Sequence, residues 1–414
     1  MSAPRPSRPP LQQPRRPRTI ALLALALTAL LGLASPALAL SDAQQLVVEA
    51  WRLVNQSYVD PARFEAVHWR RLRQKTLERP IETSTDAYDA ISAMLAPLGD
   101  PYTRLLRPDE YATLMANTQG SVSGVGLQLA LRSADDQIVV IAPLDGSPAA
   151  EAAIPSGTAV LAVNGTSTSE LGLEGTANAL RGQGGSRVLL LLETPDGRRR
   201  EVELERRTVD LKPVRSRVLE ENGHRLGYLR ITQFSEPVPA QVQELLAGDS
   251  FQNIDGLILD LRNNSGGLVS AGLAVANGLL SNEPIVTTQD RDGLSSPSQA
   301  GPGELYDGPM LTLVNGGTAS ASEILAGALQ DDGRSELLGS RTFGKGLIQT
   351  LIPLGDGSGL AVTVARYLTP SGRDIQNQGI EPDLALAQPE PLNPGGEGDR
   401  WLEQAASVLA ERLA

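Results

Sequence analysis

Ser320 and Lys345 are the two side chains whose types and surroundings could do chemistry together. Ser320 lies in Thr318-Ala319-Ser320-Ala321-Ser322-Glu323-Ile324, after a short apolar run, Met310–Val314. Beyond it, Ile324, Leu325, Ala328 and Leu329 recur at helical spacing, and Asn315-Gly316-Gly317 before it is a tight turn. A serine is therefore expected where a buried strand bends sharply into a helix. The first amides of that helix favour developing negative charge, as an acyl-transfer oxyanion requires. The position also suits a plainer role, because serine is a preferred helix cap and Ser320 and Ser322 could both serve that way.

A serine hydroxyl attacks only when a neighbour takes its proton. The chain has two histidines. His68 stands beside Trp69 in a helix-like stretch and His224 follows Gly223 in a turn, both in ordinary solvent-facing contexts, so a histidine-based triad through His224 is a thin rival. There are no cysteines, which excludes disulfides, thiol catalysis and cysteine-based metal sites, and two isolated histidines argue against zinc. Lys345 is the better base. It lies between Gly344 and Gly346 after Phe343, among apolar neighbours, where partial desolvation would lower its pKa. Ser-Lys pairs are a known variant of the triad logic. A lysine in a glycine-rich turn can equally be an ordinary solvated one.

Taken together, residues 318–324 and Thr342-Phe343-Gly344-Lys345-Gly346 resemble the carboxy-terminal processing peptidases, also called tail-specific proteases, and the 25-residue separation agrees with that family's Ser–Lys spacing. The resemblance covers nearly everything after residue 39. It implies Ser320 as nucleophile, Lys345 as general base and Gln349 as the residue that orients the lysine. Asp331 matches an acidic position implicated in some members. The resemblance also assigns the oxyanion hole to a glycine of Arg262-Asn263-Asn264-Ser265-Gly266-Gly267, Gly266 ahead of Gly267, together with the amide of Ala321. No metal or organic cofactor is implied, and the partner is the carboxy-terminal tail of a protein substrate. In a photosynthetic bacterium that substrate could be the precursor of a photosystem II reaction-centre protein.

Elements to position these residues follow from the rest of the chain. Its 414 residues, 41% hydrophobic and 20% charged, suggest two or three globular domains. Residues 1–39 read as an export signal: five arginines, an apolar core over 20–34, and Ala37-Leu38-Ala39 as a cleavage site. The apolar run is shorter than the roughly 18 residues of a membrane span. Export would place the protein in a periplasm or thylakoid lumen with a net charge of −17, against −12 for the whole chain, which argues against nucleic acid or anionic lipid as partner. Residues 40–106 read as a helical segment packing on the core, with Gly99-Asp100-Pro101-Tyr102-Thr103 as a packing turn. Residues 107–207 resemble a PDZ domain: Gly124-Val125-Gly126-Leu127 matches the carboxylate-binding loop, and a hairpin turns at Pro195-Asp196-Gly197. Ala153 stands where that family has glycine and Thr158 where it has aspartate. Residues 208–388 read as a crotonase-like α/β peptidase core, with strands at 226–231 and 256–261, a helix over 268–280, and a mobile loop over 290–308. Asp260 and Arg262 are expected to fix a turn. Residues 389–414 form a linker and closing helix. The fold class is multidomain α+β, with the PDZ domain inserted; nothing in the sequence sets an oligomeric state.

Overall fold

The computed structural model describes Met1 and residues 40–132, 137–144, 146–155, 157–210, 212–391 and 393–414; the expected signal at 1–39 otherwise lies outside them. The N-terminal segment starts with helix Asp42–Ser57. A capping box closes its first turn: the Ser41 hydroxyl accepts from Gln44 N–H at 3.1 Å and the Gln44 side chain accepts from Ser41 N–H at 3.1 Å. Leu46, Val47, Ala50 and Val54 form its buried stripe and meet Tyr88, Ile91, Met94 and Leu95 of helix Ser84–Leu95. The same apolar cluster takes in Leu360 and Val362, so this segment shares a core with the later part of the chain.

It does not stay helical to residue 106. Arg104–Leu106 is a strand that pairs antiparallel with Gly359–Leu368, Arg104 opposite Ala361. Nor is 107–207 uniformly strand-like. Pro108–Thr118 is a helix, started by a proline in its first turn and by Glu110, whose carboxylate accepts from Arg107 N–H at 2.8 Å. Beyond it lies a five-stranded antiparallel path: Leu127–Arg132, Gln137–Pro143, Ala159–Val163, Arg187–Glu193 and Arg199–Glu205. Val125, Val140, Ile154, Leu190 and Leu192 fill its core, and helix Thr168–Leu180 packs on it. The chain enters and leaves this module through Ser121–Gly124 and Arg207–Asp210, which pair with each other.

The core sheet runs in the order Val214–Glu221, His224–Ile231, Gly256–Asp260, Met310–Val314, Glu336–Gly339 and Leu384–Ala385. The first pair is antiparallel and the rest parallel. Gly256–Asp260 and Met310–Val314 are buried at every position, as strands covered on both faces must be. Helices Val238–Ala247, Val269–Leu279 and Ala321–Asp331 cover one face, and Trp401, Leu402 and Leu409 of helix Arg400–Leu413 cover the other. The expected loop at 290–308 is only partly a loop. Pro284–Asp290 and Ser295–Gln299 form a hairpin that extends the sheet of Gly359–Leu368. Its second strand, Ser-Ser-Pro-Ser-Gln, is an edge, where proline and polar side chains are tolerated. At the hairpin tip Arg291 donates to the carbonyls of Asn55, at 3.0 Å, and Gln56.

Candidate active site

Parallel pairing of Gly256–Asp260 with Met310–Val314 brings their carboxyl ends side by side, the usual place for a site in such a sheet. Two loops emerge there, and side-chain amides stitch them together. Asn315 Oδ1 accepts from Asn263 N–H at 2.8 Å, and Asn315 Nδ2 donates to Asn263 Oδ1 at 2.8 Å. Ala319 N–H and the Ser322 hydroxyl both donate to the Asn264 carbonyl, at 3.0 and 2.9 Å. Beneath lies a buried ion cluster. Asp260 accepts from Arg262 at 2.6 and 2.9 Å, from Arg230 at 3.0 Å and from the Tyr228 hydroxyl at 2.7 Å, while Arg262 also grips Asp399. Asp260 and Arg262 thus fix the turn, as their positions suggest.

Ser320 stands at the elbow between strand and helix with φ 58° and ψ −118°, a conformation an L-residue adopts only under constraint. The Glu323 N–H bonds to the Ser320 carbonyl at 2.8 Å, and the Ser320 hydroxyl makes no capping hydrogen bond. Ser320 is thus the helix N-cap by position, with Glu323 bonding back to its N–H as in a capping box, but its hydroxyl is not spent on the cap; Ser322 is turned to Asn264. Glu323, which the sequence reading did not single out, is fully buried and accepts four bonds: from Ser320 N–H (2.9 Å), Lys345 N–H (2.9 Å), Gly344 N–H (2.7 Å) and the Thr342 hydroxyl (2.6 Å). It ties the Ser320 elbow to the Lys345 loop. The S-x-x-E spacing of a capping box was the signal that could have found it. The buried Tyr367 hydroxyl makes a second tie, reaching the carbonyls of Lys345 at 2.7 Å and Ser320 at 3.1 Å.

Lys345 is half-buried, with Nζ 4.9 Å from the centroid of the Tyr102 ring. Burial pushes its pKa below the ordinary lysine value, and the nearby Arg104 pushes the same way, against Glu323 and Asp100. No hydrogen bond joins Nζ to the Ser320 hydroxyl among the described residues. Resting enzymes often show such looseness before substrate binds. Gln349 lies on strand Leu347–Pro353 directly across from Thr363; its Nε2 is buried without a partner, and it does not bond Lys345.

Asp331 is not brought to the pair. It ends helix Ala321–Asp331, about 16 Å along the axis from Ser320. There it accepts from Ser371 N–H at 2.9 Å and pairs with Arg373, a corner that holds structure together. Neither histidine reaches the site: His68 precedes helix Trp69–Leu77, and His224 opens a strand beside Asp255.

Gly266 packs directly on Ser320. A Cβ there would lie 2.9 Å from Ser320 Cβ and 2.8 Å from the Ala319 carbonyl. Its N–H donates to Asn264 Oδ1 at 3.0 Å, so to serve an oxyanion it must share or exchange that bond. Gly267, at φ 133°, is wedged against Phe234, whose carbonyl a Cβ would meet at 2.0 Å. Ala321 opens the helix, where an amide has no intrahelical acceptor.

In the second module, Gly124 ends a strand, Val125 is buried and Leu127 opens the sheet's edge strand, with helix Thr168–Leu180 packed near it. Gly126 has φ 74°, and a Cβ on it would strike Ser147. Loop, open strand edge and helix are the parts with which strand-addition sites take up an extended chain end. Of the two departures, Ala153 is held at φ 48°, where glycine is the natural residue, and the buried Thr158 hydroxyl has no partner.

A serine-type peptidase carrying a peptide-binding module is the class this arrangement defines. Residues 225–386 match the model of peptidase family S41, and residues 113–193 match the PDZ domain. A carboxyl-terminal-processing protease of Picosynechococcus sp. is 45% identical over 396 residues, 95% of each chain. The chloroplastic C-terminal processing peptidase of Tetradesmus obliquus is 40% identical, covering 88% of this chain and 82% of its own. A solved photosystem II D1 C-terminal processing protease superposes with a TM-score of 0.65 at 38% identity, covering 89% of this chain and 98% of that one. The chain belongs to peptidase family S41, among the carboxyl-terminal-processing proteases.

Proposed function

We propose that this protein is an exported endopeptidase that holds the carboxy-terminal tail of a protein substrate in its PDZ groove and cuts near it through Ser320 and Lys345. The observation that carries the reading is the joint anchoring of the two residues: one buried carboxylate, Glu323, binds the backbone amides of both. Neutral Lys345 takes the Ser320 proton as the hydroxyl attacks the scissile carbonyl. The Ala321 amide, with Gly266, receives the oxyanion. The lysine ammonium then protonates the leaving amine, and water, deprotonated by the same lysine, hydrolyses the acyl-enzyme. Gln349 orients Nζ on its way from the Tyr102 ring to Ser320.

Relatives from cyanobacteria and chloroplasts, and one named for photosystem II D1, make the precursor of a photosystem II reaction-centre protein the preferred substrate reading. Cleavage of the leader after Ala39 would release the enzyme into a periplasm or thylakoid lumen; among the described residues no helix is long and apolar enough to cross a membrane. The test is cleavage of an unstructured protein with an apolar carboxy-terminal tail, by the mature enzyme, Ser320→Ala and Lys345→Ala, with the same substrate amidated at its terminus. Loss of cleavage in both variants and slower cleavage of the amidated tail are expected. Cleavage retained by either variant refutes the Ser-Lys assignment, and equal cleavage of both tails refutes carboxylate recognition.

A further inference from the structure

The Gly99–Thr103 turn belongs to the N-terminal segment, yet it ends on the base of the reaction. It is held rigidly. Asp100 accepts from Tyr102 N–H at 2.9 Å and from the Thr103 hydroxyl at 2.7 Å, and that hydroxyl accepts from Thr363 N–H at 3.0 Å. Arg63 braces the other side, donating to the carbonyls of Leu98 at 2.9 Å and Pro97 at 3.1 Å. Strand Arg104–Leu106 then pairs with Gly359–Leu368, which also pairs with Leu347–Pro353, the strand just past Lys345. The two strands flank Gly359–Leu368 on opposite edges, and this shared partner brings the segments of Tyr102 and Lys345 together from sequence positions far apart.

We propose that Tyr102 is a positioning residue for Lys345: its ring covers the ammonium end, keeps water from it and fixes where it rests before reaction. This rests on the Ser320–Lys345 reading above. The groups facing Lys345 are Asp100, Tyr102 and Arg104 from this turn and strand, and Glu323 from the nucleophile helix. The ring acts on the lysine in two opposite senses. Its face attracts the charged form, while its bulk denies that form hydration. Burial is the foremost influence on Lys345 and lowers its pKa; the ring, 4.9 Å from Nζ, is part of that burial, and covering is the role proposed for it. Removing the ring therefore lets water in and raises the pKa of the base.

The chain has three lysines, Lys75, Lys212 and Lys345, so competitive acetylation with trace acetic anhydride, read peptide by peptide across pH, reports Lys345 directly against Lys75. In Tyr102→Ala the Lys345 midpoint should move alkaline, leaving a smaller neutral fraction at any fixed pH below it. The acid limb of kcat/KM should move with it. Tyr102→Phe keeps the ring and should restore both curves. If the alanine variant does not fold, Tyr102→Gln, which keeps length but admits water, should show the same alkaline shift. A folded Ala or Gln variant with an unmoved or acid-shifted Lys345 midpoint overturns the proposal, as does an activity loss equal at every pH. Failure of the Ser-Lys reading is separate: it would show as cleavage retained by Ser320→Ala or Lys345→Ala, while the Lys345 midpoint still reports whether Tyr102 covers it.

Discussion

Glu323→Gln is the sharpest perturbation of the elbow, because it changes one atom in a fully buried group. The carboxylate accepts from Ser320 and Lys345 N–H on one oxygen and from Gly344 N–H and the Thr342 hydroxyl on the other. An amide has one oxygen, so its NH2 must face two donors. Placed toward Ser320 and Lys345, it orphans both amides. Placed the other way, it leaves only Gly344 N–H stranded, because the Thr342 hydroxyl can rotate to accept. The second arrangement wins, at roughly 1–3 kcal/mol for the unsatisfied buried donor plus the loss of charge-assisted bonds, about 2–4 kcal/mol in all. The strained Ser320 backbone relaxes when its anchor weakens, and a shift of about 1 Å at the reacting groups costs on the order of 100-fold in rate. Thermal and urea unfolding of the mature protein should therefore show lower stability. Steady-state cleavage should show kcat falling about 100-fold with KM within a factor of about three, since the tail is bound elsewhere. Wild-type kcat in a Gln variant, or a fall in KM-linked binding alone, would refute the view that Glu323 sets the nucleophile and base.

Gly266→Ala should abolish turnover while leaving tail binding intact, because a Cβ at φ 100° meets Ser320 Cβ at 2.9 Å; peptide binding by fluorescence anisotropy beside a cleavage assay checks it. Asp399→Asn should destabilise by roughly 3 kcal/mol, since it strips one carboxylate from the buried Arg262, and urea unfolding measures it. Burial pushes the Asp260 and Asp399 carboxyls up, but Arg262 and the hydrogen bonds override it and hold both below the ordinary range. Their stabilisation is complete above the unfolded value near 3.9 and drains as pH falls through the lowered folded values, so the Asn variant should lose stability less steeply below about pH 4. Ala153→Gly should gain about 1 kcal/mol by relieving a φ of 48°, seen as a higher unfolding midpoint.

What could be read from the sequence was what local chemistry encodes. The apolar runs at 256–260 and 310–314, each followed by a glycine turn and a helical period, placed the two strand ends that carry the site, and Pro195-Asp196-Gly197 placed a hairpin. Hidden were the features made by partners distant in sequence. Tyr102 has no mark that sends it to Lys345; only the pairing of Arg104–Leu106 with Gly359–Leu368 does so. The polar edge strand Ser295–Gln299 lacks the alternation that announces a strand, so it read as loop. Asp331 illustrates the converse error: it carries the right residue type, but ten helical residues separate it from Ser320 and Arg373 claims its charge. Glu323 was half legible, since its spacing from Ser320 signals a cap but not its bonds to Gly344 and Lys345.

A buried carboxylate beside a lysine that must act as a neutral base poses an electrostatic problem, because it favours the ammonium. Glu323 does pull Lys345 that way, but three backbone N–H groups and a hydroxyl cover both its oxygens, and no ion pair joins it to Nζ among the described residues. Its charge is balanced by amide dipoles, which leaves it an anchor and not a counter-ion. The balance at Nζ then falls to the N-terminal segment, where burial beside Tyr102 and the like charge of Arg104 oppose Glu323 and Asp100 and prevail. The two halves of the site should therefore separate by experiment. Changes at the elbow, such as Glu323→Gln, should lower kcat at every pH and, by removing a charge that favours the ammonium, move the profile to acid, whereas changes around Tyr102 and Arg104 should move it to alkali and recover activity there. A profile moved to alkali by the elbow variant would contradict this assignment of signs.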